Sequence, residues 1–257
     1  MELHLLSPGS ITMRRFFVSP RDIADGRATV DGDLFRHMIK VLRLKPGDEV
    51  LLSDGAGNDY TGIIRAVGKG SAAISVAGRP AVITPAGPGI TLYQGLPKGD
   101  KLDYILQKAT ELGVAEVVPF AAERSVPRVK KGEETVKIAR WERIVLEAAR
   151  QSGRSMLPRI DFAEGLDGVV SMARQQVRLL LWEEETVNRL RDRLAECPLP
   201  ESIALIVGPE GGLSAGEALL AQHNGFIPVS LGPRILRTET AGVAMLAILQ
   251  FYWGDMG

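Results

Sequence analysis

The sequence predicts an α/β protein in which a mostly parallel sheet with flanking helices follows a smaller β-rich domain. Three observations carry this. From residue 90 onward, apolar runs of strand length alternate with segments of helical periodicity. Before residue 80, short β-type runs alternate with Gly, Asn and Asp turns. Between the two lies "GRPAVITPAGPG" (Gly78–Gly89), whose Pro and Gly content reads as a linker. The expected divisions are an N-terminal extension over 1–12, a β-rich domain over 13–80, a linker over 81–89 and an α/β domain over 90–257.

In the first domain, "DEVLLSDGAGNDYTGIIRAVGKGSAAISVAG" reads as a small antiparallel sheet or barrel. A short helix precedes it, with Leu34, His37, Met38, Val41 and Leu42 at helical spacing. In the second, "ITLYQGLP" is a strand. "DKLDYILQKATELG" is a helix that Asp100 can cap and Gly113 ends. "AEVVPFA" is a strand, and "EETVKIARWERIVLEAARQSG" is a longer helix closed by Gly153. "VRLLLWE" and "SIALIVG" are apolar throughout, as strands covered on both faces are. "LSAGEALLAQHNG" begins with Ser214 and Glu217 spaced as a capping box. "IPVSLG" is the last strand, and the last helix follows it, apolar on nearly every face.

The chain has 257 residues, 45% of them hydrophobic and 24% charged, enough to bury a sizeable core. No apolar run approaches the roughly 20 residues that span a bilayer. The N-terminus lacks a signal-peptide layout, and Met13 is a plausible alternative start. Cys197 is the single cysteine, so a reducing cytoplasm is the expected compartment. His4, His37 and His223 are too scattered for a metal cluster, and no metal is expected. Net charge is zero, yet residues 81–159 are basic and residues 160–257 acidic. A basic front can bind a polyanion locally.

Three strand ends could surround one ligand. "LIVGPEGGLSAGE" (Leu205–Glu217) puts glycines, a proline and one carboxylate between a strand and a capped helix. Glycines there allow positive φ and close backbone approach. It matches neither a Walker loop nor a dinucleotide fingerprint. "SLGPRILRTETAGVAMLAIL" (Ser230–Leu249) is a second such loop, with Arg234, Arg237 and Glu239 at the mouth of the apolar helix. "LLLWEEE" (Leu179–Glu185) gives the third. Each loop alone is also compatible with a tight turn or a helix cap.

Together, "GPEGGLS", "LGPRILRTETA", "LPKGDKLDYILQKATELGV" and "ERSVPR" resemble the RsmE family, SPOUT-class methyltransferases of 16S ribosomal RNA. "MRRFFV" and "HMIKVLRLKPGDEV" match the same family's RNA-binding domain. The resemblance runs from Met13 to the C-terminus. It implies a PUA-like β-barrel domain, then a SPOUT domain with a C-terminal trefoil knot. It also implies a homodimer formed in part by the last helix, one side of which meets its own core and the other a partner subunit; a charge at Leu246 or Leu249 is expected either to split the dimer or to unfold the chain. The implied cofactor is S-adenosylmethionine and the implied product N3-methyluridine.

On that resemblance the cofactor residues are Leu181, Trp182, Glu183, Val207, Gly208, Pro209, Glu210, Gly211, Gly212, Leu231, Gly232, Ile235, Leu236, Arg237, Thr238 and Ala241. Arg237 is the candidate to stabilise a uracil anion, with Glu239 or Glu210 as proton acceptor. Arg14, Arg15, Arg36, Arg43, Lys98, Arg124, Arg128 and Arg154 are read mostly as phosphate contacts, Arg43 and Arg154 foremost. Lys130, Lys131 and Lys137 read as a solvated face, Trp141 and Tyr104 as packing residues. The alternatives are a methyltransferase of tRNA or 23S rRNA, acting on base or ribose, and a non-catalytic RNA-binding assembly factor.

Overall fold

A computed structural model describes residues 13–82 and 86–257. The expectations for residues 1–12, and the centre of the expected linker, lie outside the described residues. The chain divides into two compact units. The first holds the residues up to Thr84 together with Gly153–Met156, and the second holds the rest.

The first unit contains β1 (Arg15–Phe17), a 3-10 turn at Pro20–Asp22, β2 (Ile23–Ala24) and β3 (Arg27–Asp31). A helical segment follows: one α-turn, α1 (Gly32–Phe35), continues as a π-helix over Arg36–Val41. Then come β4 (Glu49–Ser53), β5 (Asn58–Val67) and β6 (Ser71–Val82). The strands form one sheet in the order β1-β4-β5-β6-β3-β2. Only the β1–β4 pair is parallel. β1 and β2 are its two ends, and no described pairing joins them into a closed barrel. Phe16, Val50, Leu52, Ile64 and Ile74 alternate inward and pack on Phe35 and Met38 of the helical segment. The expected linker is in part a strand. β6 pairs with β5 as far as Val82, so ladder hydrogen bonds outweigh the Gly and Pro content of its last residues.

The second unit alternates strand and helix as expected: β7 (Gly89–Gly95), α2 (Lys101–Glu111), β8 (Glu116–Phe120), α3 (Glu134–Ser152), β9 (Arg159–Ile160), α4 (Leu166–Met172), β10 (Val177–Leu181), α5 (Leu190–Glu196), β11 (Ser202–Val207), α6 (Ala215–His223), β12 (Ile227–Val229) and α7 (Thr238–Trp253). The sheet is wholly parallel, in the order β12-β10-β11-β7-β8-β9. Neighbouring strand residues feed opposite layers. Leu92, Leu179 and Leu205 join the layer that contains residues of α2, α3, α5 and α7. Tyr93, Leu180 and Ile206 join the layer of α4 and α6. This two-sided burial is why these strands are apolar throughout.

Several local expectations change. Asp100 sits at the N-cap of α2 but its side chain makes no capping bond; its φ of −92° and ψ of 11° lie outside the extended region typical of an N-cap. Ser214 does cap α6, accepting from the Glu217 N–H at 3.2 Å while Glu217 accepts from the Ser214 N–H at 2.9 Å. Trp141 is buried, but Tyr104 is on the surface with Lys108 Nζ 6.0 Å from its ring centre. Leu246 and Leu249 face the core of their own unit rather than a free surface. The exposed apolar residues of α7 are Ile248, Phe251 and Tyr252. Among the described residues no helix is long and apolar enough to cross a membrane.

Leu246 is fully buried. Leu246→Ala is therefore expected to cost the second unit about 2–5 kcal/mol. Ser214→Ala, which removes half of a capping box, is expected to cost about 1 kcal/mol. Urea midpoints of the two variants check the ranking.

Candidate active site

The carboxyl ends of β12, β10 and β11 lie side by side, so the loops that leave them converge. In open parallel sheets ligands bind at such ends. Here the three loops and the first turn of α7 enclose a cavity of about 920 Å³. It is lined from β10 by Leu181, Trp182 and Glu183, from β11 by Val207–Glu210 and Gly212, and from the β12–α7 connection by Ser230–Thr238, with Ala241. Every cofactor candidate named from the sequence lies on this lining except Gly211. A Cβ on Gly211 would meet Arg124 at 3.1 Å, outside the cavity lining.

The sequence around the cavity explains its shape. Gly212 has φ +68°, a left-handed conformation that favours glycine, and its N–H donates to the Pro209 carbonyl at 2.9 Å. A side chain there would also collide with the Glu183 carboxylate. Gly95, at the end of β7, lets Pro209 approach closely; a Cβ would stand 2.6 Å from its ring. Gln94 is buried at the end of an otherwise apolar run. Its Nε2 donates to Thr238 Oγ1 at 2.9 Å, and Thr238 Oγ1 donates to the Gly208 carbonyl at 2.6 Å. These bonds pin the start of α7 to the loop after β11.

The loop between β12 and α7 is apolar in side chains and open in backbone. Leu231, Ile235 and Leu236 line the cavity, and Ile235 is 87% exposed. The N–H groups of Leu231, Ile235 and Leu236 have no hydrogen-bond partner among the described residues. Arg237 is the N-cap residue of α7, but its side chain makes no capping bond. The guanidinium groups of Arg234 and Arg237 are exposed at the cavity and have no partner among the described residues.

The two carboxylates named as proton acceptors are held by a residue the sequence reading missed. Lys101 Nζ lies 2.8 Å from Glu210 Oε1 and 3.4 Å from Glu239 Oε2. Glu210 also accepts from the Lys98 N–H at 3.1 Å. Burial opposes the charged form of Glu210, but the Lys101 hydrogen bond and the backbone N–H donors outweigh it and hold its carboxyl below the usual value. The Lys101 ammonium is pushed up, first by its hydrogen bond to Glu210. Glu239 is not on the cavity lining. Lys101 and Gln94 each carried a signal: one is the first residue of a helix that follows a loop, the other the one amide in an apolar strand.

The candidate phosphate contacts separate by partner. In the first unit Arg15 is committed to Asp59 at 2.7 Å, with only 16% and 5% of the two side chains exposed. Asp59 also accepts from Ser53 Oγ, which in turn reaches the Ser155 carbonyl. Arg15 is thus placed as a structural ion pair, and Arg36 is paired with Asp33. Arg14 and Arg43 are exposed and their side chains have no partner among the described residues, whereas Arg154 is engaged. Arg43 has φ +56°, a strained conformation for a side chain of its size, where the π-helix ends. In the second unit Arg124 donates to the Gly211 carbonyl and Arg128 to the carbonyls of Ala122 and Glu123. The Lys98 side chain is exposed.

Lys101→Met removes the main influence that lowers the Glu210 carboxyl, so Glu210 is expected to titrate at higher pH in that variant. Site-resolved carboxyl NMR checks the direction. The linkage follows: the stability Glu210 contributes is present above its unfolded value of 4.5 and is lost as pH falls through the lower folded value.

Known proteins place this architecture. A model described as an RNA methyltransferase domain matches residues 85–250, and one described as an RNA methyltransferase PUA domain matches residues 30–77. The ribosomal RNA small subunit methyltransferase E of Mycobacterium bovis is 33% identical over 90% of this chain and 88% of its own length. A protein of Legionella pneumophila, solved with bound S-adenosylmethionine, superposes with a TM-score of 0.85 at 32% identity, covering 95% of this chain and 100% of that one. The ribosomal RNA small subunit methyltransferase E of Neisseria gonorrhoeae, also solved with S-adenosylmethionine, gives 0.82 at 31% identity over 95% and 100%. The chain belongs to the ribosomal RNA small subunit methyltransferase E family.

Proposed function

We propose that this chain uses S-adenosylmethionine to methylate N3 of a uracil in 16S ribosomal RNA of the small subunit. The observation that carries the reading is the cavity at the ends of β10, β11 and β12. It joins an apolar, backbone-donating loop to an unpaired guanidinium. The residues fit the cofactor. Leu181, Val207, Leu231 and Leu236 offer an apolar slot for a purine, and the free N–H groups of the last loop offer donors to its ring nitrogens. When bound, the cofactor supplies the methyl group on its sulfonium.

The chain's own part is positioning and charge. N3 of uracil carries a proton that must leave as the nitrogen becomes a nucleophile. The Arg237 guanidinium is free to face the uracil carbonyls and favour the anion. Glu210 and Glu239 serve this reading as positioning groups. Both are held by Lys101, and the Glu210 carboxyl, kept below its usual range, is a weak base. Arg43 and Arg14 remain the best-placed phosphate contacts of the β-rich unit.

The finer architecture belongs to the same reading. The C-terminal segment is taken to thread as a trefoil knot, with the PUA-like unit as RNA platform and the cytoplasm as compartment. The chain is taken to act as a homodimer without a metal. Ile248, Phe251 and Tyr252 form an exposed apolar face on α7, the kind of surface that marks an interface. Sedimentation of the chain as a monomer at micromolar concentration would remove the dimer.

Labelled S-adenosylmethionine offered with assembled small subunits and with naked rRNA tests the activity. Label at N3 of one 16S uridine is expected, and label on tRNA, 23S rRNA or a ribose would replace the target. With cofactor and RNA saturating, Arg237→Ala is expected to slow methylation about a hundredfold or more. An unchanged single-turnover rate takes Arg237 out of the reaction.

A further inference from the structure

Residues 160–257 are acidic, with thirteen Asp and Glu against seven arginines and no lysine. Most arginines of this stretch that lie away from the cavity are spent on the fold. Arg174 donates to the Ala173 carbonyl, Arg178 to the carbonyls of Gln175 and Asn224, and Arg193 pairs with Glu196 at 3.5 Å. The three that line the cavity, Arg189, Arg234 and Arg237, are exposed and have no partner among the described residues. Arg237 has its place in the proposed reaction. Arg189 and Arg234 have none.

The backbone stitches these two arginines onto one lip of the cavity. Glu185 accepts from the N–H groups of Val187 and Asn188 at 2.7 and 2.9 Å, which fixes the approach to Arg189. The Asn188 carbonyl accepts from the Ser230 N–H at 2.9 Å, and the Ser230 carbonyl accepts from the Leu190 N–H at 3.1 Å. Arg189 therefore stands beside Ser230, in the loop that carries Arg234. The lining also sorts its charges. Lys101 is neutralised by Glu210 and Glu239, and the Glu183 carboxylate lies against Gly212, so the side toward the Gly208–Gly212 loop offers no free cation among the described residues. The opposite lip is cationic: Glu185, its acid, is already met by N–H donors.

An RNA that offers one base to this cavity carries its backbone across the mouth. The base leaves its stack at a cost, and contacts to the flanking phosphates offset that cost. A guanidinium is a planar fork of donors that matches phosphate and stays charged at any working pH. We propose that Arg189 and Arg234 form a phosphate clamp that grips the RNA strand beside the target uridine. The inference rests on the reading of rRNA as substrate and deepens it. Neither side chain has a partner to lose among the described residues, so each can be replaced with the fold intact, with melting temperature as the control.

Binding of naked 16S rRNA and of assembled small subunits, measured across a salt series, tests it on wild type, Arg189→Ala, Arg234→Ala, the double variant and Arg191→Ala. Arg191 is exposed, has no partner among the described residues and lies off the cavity lining, so its removal takes away the same charge close by. On whichever RNA the wild type binds, Arg189→Ala and Arg234→Ala are each expected to weaken binding about tenfold, within the range for a hydrogen bond to a charged group. Each is also expected to flatten the slope of log affinity against log salt by about 0.7, the increment of one single-strand phosphate. Arg191→Ala is expected to do neither. Equal losses in Arg191→Ala overturn the proposal, because net charge then explains them. So do wild-type affinity and slope in the double variant. Calorimetry with S-adenosylhomocysteine separates the remaining case: a loss of affinity for this ligand as large as the loss for RNA makes the pair a cofactor contact and overturns the clamp. A wild type that binds neither RNA overturns the substrate reading itself, and the two failures are thereby distinct.

Discussion

Gln94, Thr238 and the Gly208 carbonyl form the contact on which the cavity depends. Three segments far apart in sequence meet there: the end of β7, the loop after β11 and the first turn of α7. The contact is buried, so it cannot be exchanged for water without cost. A buried amide or carbonyl left without its partner costs about 1–3 kcal/mol. One glycine makes the approach possible: Gly95 lets Pro209 close on the strand end, where a Cβ would stand 2.6 Å from its ring. The cavity is thus a consequence of packing: loops that would otherwise vary are tied to the sheet at one point.

That point also explains why charges stand at the mouth of so apolar a helix. α7 buries Met245, Leu246 and Leu249 in the unit's core, which fixes its axis. Its N-terminal turn then has nowhere to go but the cavity rim. Arg237 precedes the helix, and its side chain makes no capping bond and has no partner among the described residues. Glu239 turns the other way, to Lys101, which also holds Glu210. One lysine therefore fixes acids from two loops while the arginine stays available. Acidic groups favour a helix N-terminus, so Glu239 stabilises the turn that presents Arg237.

The strand-helix alternation was legible because both of its signals are local. Leu179-Leu180 and Leu205-Ile206 read as doubly buried strands, and each pair does split between the two apolar layers. Ser214 and Glu217 announced their cap by spacing alone. The three cavity loops were legible as glycine-bearing strand ends. What stayed hidden depends on partners distant in sequence. Lys101 looks like a helix start until Glu210 is brought beside it. Arg15 looks like an RNA contact until Asp59 is seen buried against it. The last residues of β6 look like a linker until β5 supplies their hydrogen bonds. Leu246 and Leu249 could be read as either core or interface residues, because a helix apolar on nearly every face carries no mark of which side is inner.

The cavity pinned by Gln94 and Thr238 is the proposed place of the cofactor. Backbone hydrogen exchange with and without S-adenosylmethionine tests it most directly. Slowed exchange is expected at residues 208–212 and 231–241, including the N–H groups of Leu231, Ile235 and Leu236, which have no partner among the described residues. Unchanged exchange at those residues, with slowing instead in the groove between α3 and β9 that Arg143 and Arg159 line, would contradict it.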